Sequence, residues 1–439
     1  MKKTTLALMI ACALSSPVFA DEAELKKEID SLKKLLEAQS TQLQKLQTQA
    51  NALADQQAKI AAAPAPTPVP AAASNTASAL LADTTIGGYG EITYNNYRND
   101  RSRTQADLKR FVLFFGHRFN EQLSFVSEVE WEHAVTSATD QGETALEQAY
   151  LNYKLSNGVN IKTGLFLMPF GFLNPSHEPP VFYGVERNEV ETRIIPSTWR
   201  EGGIGVYGST DSGFAWDVGV VTGFNGAKFD DPGQPLRSIH QEMQLAKAHD
   251  LSYYGALNYH GMPGLTVGGA LFTGNSLQGN ADFLADTSKP NFSGINGRVT
   301  LWEVHTRWQN RGWDLQAVYA KGRIGDADRI DSVLQAYNIA NATSLPYVSS
   351  EFYGWLTQAA YTVWESGDMS LTPFVRYEKF NTQSKMPGGF ATGPANADRV
   401  TTVGLSFKPH PQVVFKADYQ KFKDNSINDR FNLGLGYMF

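Results

Sequence analysis

Cysteine is almost missing from this 439-residue chain, with Cys12 the single example. One cysteine excludes an intramolecular disulfide framework and a thiolate metal centre. Long apolar runs are equally scarce. Beyond the first twenty residues no apolar stretch reaches the roughly 18 residues a spanning helix requires, so a helical membrane span is excluded. Charge of one sign is lacking too: 38 Lys and Arg are interspersed with 44 Asp and Glu, and no basic patch offers a nucleic-acid footprint. Aromatic residues, by contrast, make up 12% of the chain, and Gly is abundant. A membrane protein without apolar helices has one other way to cross lipid, the closed β-barrel.

The ends of the chain point the same way. The opening MKKTTLALMIACALSSPVFA sets Lys2 and Lys3 before an apolar core from Leu6 to Leu14, then Val18-Phe19-Ala20. It reads as a secretory signal peptide, residues 1–20, cleaved before Asp21. Acylation of Cys12 is the alternative, and it fits less well because the apolar region would be very short. Loss of the two lysines takes the net charge from −6 to −8. At the other end, FNLGLGYMF places Phe431, Leu433, Leu435, Tyr437 and Phe439 on one parity and Asn432, Gly434 and Gly436 on the other. This is a strand with one apolar and one small or polar face, ending on an aromatic residue.

Between the ends lie two further units. Over residues 21–61, Leu25, Ile29, Leu32, Leu36, Gln39, Leu43, Leu46, Ala50, Leu53, Gln57 and Ile60 follow alternating steps of four and three, the seam of a coiled coil. A lone helix would leave that stripe unburied, so oligomerisation is expected, with Gln39 and Gln57 selecting register or strand number. An Ala/Pro-rich linker over 62–83, carrying APTPVPAAASNTASA, follows as a semi-rigid spacer.

From residue 84 to 439 the pattern is period-2 alternation broken by turn residues. Sixteen strands are predicted: 84–97, 107–119, 122–133, 143–155, 159–168, 201–209, 213–224, 250–260, 264–273, 296–309, 313–322, 350–364, 369–380, 399–408, 412–422 and 429–439. Short connections alternate with long ones throughout, as expected for a barrel with turns on one rim and loops on the other. The predicted fold is all-β: a 16-stranded antiparallel transmembrane β-barrel preceded by an α-helical coiled coil. Trp131, Tyr153, Trp302, Trp308, Tyr377 and Tyr437 fall near strand ends, where an interfacial girdle belongs. The charged parity must then face a water-filled lumen, since charge at mid-depth on the lipid face costs about 2–4 kcal/mol. Predicted pore-lining charges are Arg110, Arg118, Lys154, Lys162, Arg307, Arg376 and Lys416, mixed with Glu128, Glu130, Glu132, Glu303, Glu378 and Asp418.

The segments GGYGEITYNNY (87–97), LEQAYLNYKLSNGVNIKTGLFLMPFG (146–171) and TWREGGIGVYG (198–208) resemble the phosphate-selective porin O/P family of outer-membrane porins. The coiled coil is similar to that of the sucrose porin. Membership would imply a homotrimeric, sixteen-stranded diffusion channel whose third external loop folds inward. It would also imply a Gram-negative outer-membrane location, with the coiled coil in the periplasm. The mixed lumen charge departs from the family's basic pore, because ion selectivity of one sign needs a ring of one sign.

The stretch Asn174–Gly203 concentrates chemistry-bearing residues in the predicted third external loop, 169–200. His177, Glu178, Glu186, Arg187, Glu189, Glu191, Arg193 and Arg200 are the candidate constriction residues. Arg187, Arg193 and Arg200 are expected to face Glu178, Glu186, Glu189 and Glu191, giving a transverse field. His177-Glu178 does not open a helical H-E-x-x-H zinc motif, because Pro179 and Pro180 follow and no second His does. The eight His are scattered, none beside a Ser in a hydrolase arrangement. No enzyme activity, metal or cofactor is expected. Expected partners are outer-membrane lipid, a homotrimer, small anions or other hydrophilic solutes, and cell-wall contact through the coiled coil. An envelope tether with little transport, or a carbohydrate-selective porin, are the alternative functions.

Overall fold

The computed structural model describes residues 83–393 and 396–439, together with Asp30, Lys33 and Lys34. Those three are helical and exposed; the predicted signal peptide, the rest of the coiled coil and nearly all of the linker lie outside the described residues.

Period-2 segments become strands in the order β1 (Thr84–Tyr97), β2 (Gln105–Arg118), β3 (Leu123–Glu132), β4 (Thr144–Ser156), β5 (Val159–Leu167), β6 (Arg200–Ser209), β7 (Phe214–Val221) and β8 (Ser252–Met262). They continue as β9 (Leu265–Gly274), β10 (Val299–Asn310), β11 (Trp313–Ile324), β12 (Glu351–Tyr361), β13 (Met369–Lys385), β14 (Ala397–His410), β15 (Val413–Phe422) and β16 (Arg430–Met438). A three-residue strand, Trp364–Ser366, pairs with β13 as β12 does, so it continues β12 past an irregular step. Each strand pairs antiparallel with its chain neighbours, and β1 closes on β16 from Tyr89↔Met438 to Tyr97↔Arg430. Gly88 and Phe439 exchange two backbone hydrogen bonds of 3.0 and 2.9 Å across that seam. Closure leaves no unpaired edge to template aggregation.

Sixteen wall strands, with short and long connections alternating, match the prediction from sequence. The largest boundary difference is at β13, predicted to end at 380 and observed to reach Lys385.

The wall is inside-out relative to a water-soluble domain. Ile86, Ile204, Tyr253, Val403 and Phe431 are exposed on its outer face. Arg110, Glu128, Glu130, Lys162, Glu303, Arg376, Glu378, Lys416 and Asp418 are buried on the inner one. An exposed apolar band this extensive is the mark of a lipid-facing surface.

Part of the interior is packed with side chains from the long connections. Trp199 is fully buried against Phe170, Phe224 and Phe272, with ring centroids 4.9, 5.3 and 4.9 Å away. The connection after β11, predicted as plain loop, carries a helix over Ala327–Asn341. Ile330 and Leu334, one turn apart on that helix, bury in the same cluster.

Candidate functional site: the inward segment and the charged chamber

Residues 168–199, between β5 and β6, organise the interior. Their base is stapled by Asn174: its Nδ2 donates to the carbonyls of Met168 (2.7 Å) and Trp199 (2.9 Å), and its Oδ1 accepts from the Trp199 amide at 2.6 Å. Pro179–Val181 forms a tight 3-10 turn, as a double proline favours when no helix can run through it. Val190–Arg193 adds one helical turn.

Side chains of distant strands hold this segment by its main chain. Asp418 of β15 accepts from the Val185 amide at 2.6 Å, and Glu378 of β13 accepts from the Glu189 amide at 2.7 Å. Lys416 donates to the Gly184 carbonyl at 2.9 Å, and the Tyr183 hydroxyl donates to Asp314 of β11 at 2.9 Å. Close packing completes the docking. A Cβ on Gly436 of β16 would lie 2.2 Å from Pro179 Cβ, and one on Gly354 of β12 would lie 2.9 Å from Ile194. Both glycines provide the room that the segment occupies, and Gly434, whose Cβ would lie 3.1 Å from Val185, joins Gly436 in explaining the small-residue parity of the final strand.

One ionic pair of the expected set, Arg193–Glu189, is present, and the other partners differ. Within the segment, Arg193 Nε donates to Glu189 at 2.5 Å, an i,i+4 pair. Glu186 instead meets Lys109 of β2 at 2.6 Å and accepts from Asn95 of β1 at 2.9 Å. Arg200 reaches Glu242 of the β7–β8 connection at 3.0 Å. Arg187 donates to the hydroxyls of Ser197 and Thr198 and, among the described residues, forms no salt bridge with a carboxylate. Glu191 faces none of the arginines: its buried carboxylate accepts from the amides of Phe172 (2.5 Å) and Leu173 (2.9 Å) and from Asn188 Nδ2 (2.6 Å), fixing the segment's own fold. Glu178 is half-buried just before the 3-10 turn. His177 is buried, with Nε2 turned to Glu147 at 3.4 Å and Glu128 at 3.9 Å.

Glu186, Arg187, Glu189, Arg193, Arg200 and Glu242 line a chamber of about 660 Å³ on the long-loop side of the segment, whereas His177, Glu178 and Glu191 do not. Sequence reasoning missed Lys109, Lys228, Arg237, Glu242 and Arg430 there, because they come from connections and strand ends far apart in the chain. At Glu242, burial favours the neutral acid, but His240 and Arg200 beside it outweigh burial and hold the carboxyl below its usual range. A second chamber, about 390 Å³, lies on the short-turn side and is lined by Phe172, Phe182, Tyr183, His305, Gln316 and Gln358.

The other predicted pore-lining charges are nearly all paired. Arg110 lies 3.3 Å from both Glu91 and Glu130, and Lys162 is 2.5 Å from Asp217. Arg307 meets Asp314 at 2.6 Å, Arg376 meets Glu378 at 2.8 Å, and Glu303 meets His305 at 2.9 Å. Lys416 sits over the Phe182 ring at 3.4 Å. Glu132 lines the larger chamber. Arg118, paired with Asp83, and Lys154 are exposed at the short-turn rim, away from the other charges.

No family model matches the chain. A protein of Aquifex aeolicus (strain VF5), described as uncharacterized, is 34% identical over 363 residues, covering 81% of this chain and 80% of its own length. The chain belongs to one family with that Aquifex protein. Among solved structures, OmpF of Salmonella typhi, in complex with daunomycin, matches with a TM-score of 0.54 at 13% identity, covering 81% of this chain and 97% of OmpF. The outer-membrane channel DcaP of Acinetobacter baumannii matches with a TM-score of 0.48 at 12% identity, over 81% of this chain and 97% of DcaP. The OmpF likeness shows the fold, a porin-type barrel.

Proposed function

We propose that this chain forms a water-filled outer-membrane channel through which small hydrophilic solutes diffuse passively. Its narrowest part is the segment 169–200, folded into the lumen. The observation that carries this reading is the strapping of residues 183–189 by Tyr183–Asp314, Lys416, Asp418 and Glu378, from strands across the ring from β5 and β6. A loop lying outside the barrel has no access to those inward side chains.

Eight Lys or Arg against six Glu line the larger chamber, which favours small anions. Arg187, Arg193 and Arg200 supply part of that excess. A homotrimer, membership of the phosphate-selective porin O/P family, and the division into signal peptide 1–20, periplasmic coiled coil 21–61, linker 62–83 and barrel 84–439 belong to the same proposal. The aromatic and amide lining of the second chamber, Phe172, Phe182 and Tyr183 with Gln316 and Gln358, favours carbohydrate as a second class of solute.

Purified protein in a planar bilayer tests both. A steady ion current with an anion-side reversal potential is expected, and the triple Arg187→Ala, Arg193→Ala, Arg200→Ala variant should shift that potential toward cations. Absence of current sinks the channel reading; an unshifted potential sinks the arginine role. Block of the current by added oligosaccharide distinguishes the carbohydrate reading.

A further inference from the structure

We propose that Glu128, Glu147 and His177 form a divalent-cation site, of the Zn²⁺ or Mn²⁺ class, that pins the inward segment to strands β3 and β4. The sequence hid it, because its two carboxylates lie nineteen residues apart on neighbouring strands and the histidine comes from the segment.

Local backbone geometry creates the site. Pairing of β3 with β4 steps from Glu128↔Gln148 to Val129↔Leu146, leaving Glu147 as the extra residue of a bulge. A bulge re-aims a side chain, and this one puts Glu147 on the inner face with no exposed surface. Ligand atoms of all three residues lie within 4.8 Å of one another. Tetrahedral coordination with bonds of about 2.0–2.1 Å needs neighbouring ligand atoms about 3.3–3.4 Å apart. The His177 Nε2–Glu147 Oε2 distance is 3.4 Å, and Nε2–Glu128 Oε1, at 3.9 Å, closes with a small rotation.

The surroundings are those of a metal ligand set. His177 Nδ1 donates to the Asn174 carbonyl at 3.2 Å, which leaves the Nε2 lone pair toward the two carboxylates. Gln148 donates to the other oxygen of Glu128 at 2.7 Å. Among the described residues, Glu147 Oε1 is buried with no hydrogen-bond partner, and the Tyr89 hydroxyl nearby shares that condition. Buried polar atoms are rarely left so, unless water or an ion serves them. Charge balance points the same way. Glu91, Glu128, Glu130 and Glu147 share this interior with two guanidinium groups, Arg110, which lies 3.3 Å from Glu91 and Glu130, and Arg187, so one divalent ion would neutralise the carboxylate charge left over. One imidazole with two carboxylates suits Zn²⁺ or Mn²⁺. Because Asn174 also staples the segment's base, an ion at His177 would lock that base to the wall.

Equilibrium dialysis of the full chain in detergent, stripped with chelator and titrated with Zn²⁺ and separately Mn²⁺, tests this. About one ion per chain is expected for one of them. Its affinity should fall at least about tenfold in Glu147→Gln and in His177→Gln, and the ion should raise the melting temperature of the native chain only. If Glu147→Gln does not fold, Glu128→Gln on the adjacent strand gives the same reading. No stoichiometric binding of either ion, or binding unchanged in the folded variants, overturns the site. Ion binding is read without conductance, so that failure leaves the channel proposal standing.

Discussion

Replacing Asp418 with alanine should loosen the inward segment while leaving the barrel intact. Asp418 Oδ2 accepts from the Val185 amide at 2.6 Å, and its Oδ1 accepts from Asn432 at 2.7 Å. Loss of a hydrogen bond to a charged group costs about 1.5–3 kcal/mol, which at about 1.4 kcal/mol per decade is a ten- to hundredfold change in the ratio of unseated to seated segment. The Lys416–Gly184 and Glu378–Glu189 bonds persist, so the seated form still dominates. Hydrogen exchange followed by mass spectrometry on peptides covering 183–189 should show protection reduced by that factor, and single-channel records should show more frequent excursions to a wider state. Asp418→Asn, which keeps a neutral acceptor, should give a smaller effect of about 0.5–1.5 kcal/mol. Unchanged protection at 183–189 in Asp418→Ala would refute the reasoning, as would an equal loss throughout β15, which would mean that the wall itself had opened.

Three further outcomes follow from the geometry. Gly436→Ala places a methyl 2.2 Å from Pro179 Cβ, where carbon contacts want about 3.5–4.0 Å. The stiff proline turn must retreat at a cost of about 1–3 kcal/mol, seen as a lower melting temperature together with altered conductance. An unaltered channel would show that the turn is not seated on β16. Trp199→Ala removes the fully buried ring stacked among Phe170, Phe224 and Phe272 and should destabilise by about 3–5 kcal/mol in thermal melts.

The third concerns pH. Burial pushes the Asp331 carboxyl up to about 7, although the Val348 amide bonded to it opposes the rise. The folded connection therefore holds this proton more tightly than the unfolded chain does. Its contribution to stability is complete below about pH 4 and is lost as pH rises through about 7. Limited proteolysis across 327–350 should be faster at about pH 8 than at about pH 5, and Asp331→Asn should remove the difference. A difference that survives in Asp331→Asn would assign it to another group.

The wall was legible because each strand buries one face in protein or water and the other in lipid. In β16, Phe431 and Leu433 on one parity against Asn432 and Gly434 on the other report that environment directly. The interior was legible only in outline. That 168–199 would carry packed aromatic and branched residues could be read from Ile194 and Ile195, which are fully buried. Which cation meets which carboxylate could not, because Glu186–Lys109 and Arg200–Glu242 are set by how three connections meet in space. Glu147 escaped for a sharper reason. It stands on an inward bulge, and a strict alternation cannot see an extra residue. The helix at Ala327–Asn341 did carry a signal, the Ile330/Leu334 pair one turn apart, which the surrounding polar residues dilute.

The straps on the inward segment also constrain the order of assembly. Val185 and its acceptor Asp418 are separated by 233 positions, and Gly184 and Lys416 by 232. Contacts of such long range form only after the intervening chain has been brought round, at a loop-closure cost met before any reward. In chain order the seats on β15 and β16 come last, so the segment is synthesised well before the residues that receive it. Until β15 and β16 are in place, the segment lacks the Asp418 and Lys416 straps and the Gly436 groove. Seating of the segment is then tied to completion of the ring, and a chain truncated before β15 would lack both straps and the glycine groove.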